Sequence, residues 1–151
     1  MGKKKIFISH SNHKHPEVAQ FVAKVLTALG CEPILAEQEP GGMSGVSDHV
    51  EQLIRQSDGI VFLCTPDIKL ENEGFSLSAG VIAELQFVKN LEKFKGKSIV
   101  FMERQVETTA MLQPVYKEFD ISNYGTIAAD LLIELGSMKF FRNHYEIDDS
   151  G

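Results

Sequence analysis

The chain has 151 residues, 43% of them hydrophobic and 24% charged, with a formal net charge of -6 at pH 7 and a pI near 5.3. That length and balance fit one globular domain with a sizeable core, while the negative charge excludes a general affinity for nucleic-acid backbones or anionic membranes, because no positive field draws phosphates. No apolar run approaches the roughly 20 residues of a membrane span, nothing at the N-terminus resembles a signal peptide, and Cys31 and Cys64 adjoin apolar runs as reduced, buried thiols do, so a cytoplasmic protein is expected.

After a short basic run, Lys3 to Lys5, the segment KIFIS (5–9) reads as a first buried strand. The loop SHSNHKH follows. His10, His13 and His15 fall within six residues there, a grouping that could begin a Zn2+ or Ni2+ site, but the further ligands and the rigid support of such a site are missing and no metal is expected. Ser9 and His10 are neighbours on a strand and point to opposite faces, so they cannot serve as nucleophile and base of a serine hydrolase.

Pro16 to Leu29 carries Val18, Phe21, Val22, Val25, Leu26 and Leu29 at helical spacing. Pro16 suits a first helical turn, where it has no N–H to lose, and Gly30 suits the position past the end, where φ is often positive. EPILA (32–36) is a second strand, and the loop EQEPGGMSG leads from it to a helix near Val46 to Gln56. Gly41, Gly42 and Gly45 fit an anion cradle at the N-terminus of that helix. They fit a flexible turn as well, since the loop lacks the Lys-Ser/Thr ending of a P-loop and follows the second strand, not the first.

GIVFLC (59–64) is a third strand, followed by TPDIKLENEGFSLS and a helix whose stripe runs Leu77, Val81, Glu84, Val88, Leu91. The stripe would be wholly apolar but for Glu84. A carboxylate is costly to bury unless it is paired or faces a wet cleft, so two readings stand: a boundary residue whose head reaches solvent or a nearby lysine, or a carboxylate aimed into a cleft. KSIVFME (97–103) is a fourth strand, VYKEFDI (115–121) a weaker fifth, and Ile127 to Leu135 a last helix. Residues 1–141 form a single domain in this reading, and 142–151 a tail or the start of a further segment.

Strands apolar on both faces, alternating with helices, predict an α/β three-layer sandwich around a parallel sheet. Ligands of such sheets lie beyond the carboxyl ends of the strands, which singles out SHSNHKH, EQEPGGMSG and TPDIKLENEGFSLS, the longest polar connections.

The segments KIFISHS, ILAEQEPGGMSGVSDHVEQLIRQSDGIVFLCTPD, VIAELQF and LQPVYKEFDISNYGTIAADLLIEL resemble, in that order and spacing, the TIR domains, most closely the prokaryotic TIR-like group of predicted nucleotide-binding proteins. The resemblance covers nearly the whole chain and implies a flavodoxin-like fold with a five-stranded parallel sheet of order 2-1-3-4-5. In many members it also implies cleavage of NAD+ at the nicotinamide glycosidic bond, with NAD+ as substrate and no cofactor. The catalytic glutamate of the family's "EL" motif aligns with Glu84.

By the same resemblance Ser9, His10 and Ser11 lie beside the nicotinamide ribose, and the loop holding Glu39, Pro40, Gly41 and Gly42 matches a mobile loop through which TIR domains associate. Asp67 and Phe75, after the third strand, and Gly80, one turn before Glu84, complete the expected substrate-binding set; Phe7 reads as core. Self-association through residues 37–45 and neighbouring helices is expected to complete the site. Two positions depart from the family pattern: Gly80 stands where active relatives usually carry Trp or Asn, and Gln86 where the closest group has Gly. Three functional classes follow: an NAD+ nucleosidase of prokaryotic antiviral defence, a non-catalytic TIR-like oligomerisation module, and a nucleoside deoxyribosyltransferase-like enzyme, which shares the plan and a carboxylate that attacks an anomeric carbon.

Overall fold

The computed structural model describes residues 3–11, 16–35, 47–66, 68–69, 75–76, 79–106 and 116–137. Along these run β1 (Lys5–Ser9), α1 (Pro16–Ala28), β2 (Glu32–Leu35), α2 (Asp48–Arg55), β3 (Gly59–Cys64), β4 (Ile68–Lys69), β5 (Phe75–Ser76), α3 (Ala79–Lys89), β6 (Ser98–Glu103), β7 (Lys117–Phe119) and α4 (Tyr124–Ser137). Five strands pair in parallel in the order β2-β1-β3-β6-β7. Counted without β4 and β5, this is the 2-1-3-4-5 order of the flavodoxin-like TIR plan.

Strand alternation sorts the core into two layers. Ile6, Ile8, Val61, Leu63, Ile99 and Phe101 face α1 and α4, packing on Val18, Val22, Leu26, Ile127, Leu131 and Leu135. Phe7, Ile60, Phe62, Cys64, Val100 and Met102 face the other way, onto Val50 and Ile54 of α2 and Val81 and Val88 of α3. All six residues of β3 are buried, as a central parallel strand requires.

Helix ends follow their local chemistry. At the close of α1 the Cys31 N–H reaches the Leu26 carbonyl at 2.9 Å and the Gly30 N–H reaches Thr27 at 3.1 Å, with Gly30 at φ 86°; this is the paired C-terminal motif that needs a left-handed residue. α2 starts at Asp48, two residues later than expected, because Ser47 caps it: its Oγ accepts the Val50 N–H at 3.2 Å. α4 starts at Tyr124, ahead of the expected Ile127, with Asn123 Oδ1 accepting the Thr126 N–H at 3.3 Å.

The stretch after β3 differs from expectation. A short antiparallel hairpin pairs Ile68 with Ser76 and Lys69 with Phe75, and α3 begins only at Ala79. Two-residue strands are too short to show an alternation, so the hairpin leaves no periodic trace.

The open edge of β2 is blunted. The Glu32 N–H donates to the Lys4 carbonyl at 2.8 Å, so the next amide faces outward, and that position is Pro33, which offers no N–H to another strand.

Candidate active site

The carboxyl end of β1 lies beside the first turns of α3. Ser9 follows Phe7 on the α2/α3 side of the sheet, and the α3 stripe presents Val81, Glu84 and Val88 to that side. The result is a direct contact between residues 75 positions apart: Ser9 Oγ donates to Glu84 Oε1 at 3.1 Å. Ser9 is 0% exposed and Glu84 5%. Glu84 is therefore no boundary residue with its head in solvent; it is a buried carboxylate that accepts a hydrogen bond from a neutral donor.

Two described residues follow β1. His10 is half-buried, and its Nδ1–H donates to the Ser11 carbonyl at 3.1 Å, which fixes the proton on Nδ1. Burial pushes the His10 pKa below its usual value, partly offset by that bond to Ser11, so the ring is neutral at pH 7. Ser11 is buried at 2% exposure. Gly80 sits one helical turn before Glu84 and presents no side chain toward whatever the carboxylate meets.

Of the other expected site residues, Glu39, Pro40, Gly41, Gly42 and Asp67 lie outside the described residues, as do His13 and His15. Phe75 is described only as a strand position paired with Lys69. Phe7 is core, at 1% exposure. Cys64, at the end of β3, has its thiol pushed up to about 12 by burial and is no nucleophile at neutral pH. Among the described residues no cluster of His, Cys, Asp and Glu has the arrangement of a metal site, and no helix is long and apolar enough to cross a membrane.

A second buried carboxylate, Glu103, ends β6 at 1% exposure. It continues the row of Ile99 and Phe101 and so faces α1 and α4, away from Glu84. Its Oε2 accepts the Gln105 N–H at 2.9 Å and closes the turn after the strand. The sequence marks it only as the polar end of an apolar run. An open depression of about 420 Å3, lined by Arg104, Glu118, Phe119, Asp120 and Thr126, lies beyond β6 and β7. It is separated from β1 by β3 and β6 and is crossed by the Arg104–Asp120 ion pair at 3.1 Å.

The geometry thus brings together a buried glutamate, a buried serine and a neutral histidine at the carboxyl end of the sheet, where ligands of open parallel sheets bind. A family model described as CAP12/Pycsar effector protein, TIR domain, matches residues 5–108, a span that begins at β1 and contains both Ser9 and Glu84. No curated protein matches the chain.

Proposed function

Because the chain belongs to the TIR-domain family of CAP12/Pycsar effector proteins, we propose that it is an NAD+ nucleosidase of prokaryotic antiviral defence, with Glu84 as its catalytic carboxylate. One observation carries the reading: a glutamate at 5% exposure lies at the carboxyl end of the sheet and accepts a hydrogen bond from the buried Ser9. Glutamate is among the side chains least often buried, and the strand ends of an open parallel sheet are where such sheets bind ligands.

A single carboxylate suffices for the chemistry. Most glycosidases need a second carboxyl group as an acid, because an alkoxide leaves poorly. When the bond between ribose C1′ and the pyridinium nitrogen of NAD+ breaks, its electron pair stays on nitrogen and nicotinamide departs neutral, with no proton required. The positive charge passes to the ribosyl group. Glu84 opposes that charge or adds to C1′ as an ester, and water then adds to C1′ and releases a proton, giving ADP-ribose. Attack by the substrate's own adenine or ribose gives a cyclic product instead.

His10 and Ser11 are assigned to the ribose side of the site, and association through residues 37–45 is assigned to completing it. Gly80, which offers no side chain in front of Glu84, favours a second reading in which the domain assembles without chemistry. Substrate choice tests the assignment. The concentrated protein, with a crowding agent, is incubated with NAD+ or with a deoxynucleoside and the products are separated by chromatography. Nicotinamide from NAD+ and no free base from the deoxynucleoside is the expected result; intact NAD+ beside demonstrated oligomers supports the assembly module, and free base supports a deoxyribosyltransferase.

A further inference from the structure

We propose that Ser9 is a positioning residue for Glu84 and not a contact of the substrate; the inference rests on the reading of Glu84 as the catalytic carboxylate. Ser9 is 0% exposed, so it offers no surface to a bound ribose. A serine hydroxyl has one proton to donate, and this one goes to Glu84 Oε1 at 3.1 Å.

The donor is rigid. Ser9 ends a strand held on both sides, by β2 and by β3, and its own register partner is Phe62 of the fully buried β3. Apolar packing of Val81 and Val88 against Phe7 and Phe62 fixes the distance of α3 from the sheet, but such contacts are non-directional and set the direction of a carboxylate only loosely. The Ser9 bond adds a directional restraint.

The chemistry of the donor also fits. A lysine or arginine at position 9 would hold Glu84 as firmly but would cancel the charge that a ribosyl cation needs. A neutral hydroxyl orients the carboxylate without adding a positive charge of its own, as supporting residues of preorganised sites do.

Steady-state kinetics on wild type, Ser9→Cys, Ser9→Ala and Glu84→Gln, assembled and assayed with NAD+, test this. Loss of a hydrogen bond to a charged group predicts that kcat of Ser9→Ala falls about 10- to 100-fold while KM stays within about twofold. Ser9→Cys, isosteric with a weaker donor, falls between Ser9→Ala and wild type, a ranking that packing alone does not produce. It also carries the test should Ser9→Ala fail to fold. A rise in KM at unchanged kcat would make Ser9 a substrate contact and overturn the proposal, as would full activity of Ser9→Ala. If wild type turns over and Glu84→Gln does not, the nucleosidase reading stands whatever Ser9 does; an inactive wild type, or an active Glu84→Gln, removes that reading and the Ser9 inference with it.

Discussion

Ser9, His10, Glu84 and Glu103 are polar residues buried or half-buried toward the carboxyl end of the sheet, and each meets burial differently. An uncompensated buried carboxylate costs several kcal/mol. Glu103 meets it with a backbone N–H two residues on, a local solution that makes a turn. Glu84 accepts from a side chain of another element, a contact that ties β1 to α3. His10 stays neutral, because burial lowers its pKa. Since its folded pKa lies below the ordinary value of about 6.5, the unfolded chain takes up the proton first on acidification. The contribution of His10 to stability is therefore complete above pH 6.5 and is lost as pH falls through the lowered folded value. Melting temperatures at pH 7.5 and 5.5 should show a larger acid-induced drop for wild type than for His10→Gln, and equal drops would refute the assignment.

At this scale Glu84 was legible because one carboxylate interrupted an apolar stripe at helical spacing. Its partner was not, because no spacing rule connects residues 75 positions apart; the contact exists only once β1 and α3 are packed. Ser9 instead appeared, through the family resemblance, as a ribose neighbour. Glu103 gave no signal, since a polar residue ending a strand is ordinary.

The elements obey propensities that a reader of sequence can use, and their energetics separate backbone from packing effects. Gly30 at φ 86° has nothing within 4 Å of where a Cβ would stand, so Gly30→Ala meets conformational strain alone and should cost about 1 kcal/mol. Ile54, 0% exposed on α2, lies against Phe7 and Ile60; Ile54→Ala removes buried methyl groups and leaves a cavity, which should cost about 2–5 kcal/mol. Urea unfolding midpoints rank the two, and a Gly30→Ala variant at least as destabilised as Ile54→Ala would contradict this division. Strand identities and the end of α1 were readable from apolar runs, Pro16 and Gly30. The caps at Ser47 and Asn123 shifted α2 and α4 from their expected starts, because the hydrophobic pattern marks the buried face of a helix and not its first hydrogen-bonded turn. The β4–β5 hairpin was unreadable at two residues per strand.

For the whole molecule, the alternation of buried strands and amphipathic helices specified the layered sheet, and the family resemblance its strand order; right-handed crossovers leave few other arrangements. The connections bearing Glu39 to Gly42 and Asp67 are read from the resemblance alone. Pro33 on the open edge of β2 disfavours association by strand addition, which leaves loops and helix faces for the assembly proposed to complete the site. Nicotinamide release from NAD+, followed by chromatography over a range of protein concentrations for wild type and Glu84→Gln, tests the central claim most directly. The account predicts turnover by wild type that rises more steeply than protein concentration, and a loss of at least about 100-fold in Glu84→Gln, as removal of a charge that opposes the ribosyl cation should give. Equal turnover by the two proteins, or none by a wild type shown to be assembled, would contradict it.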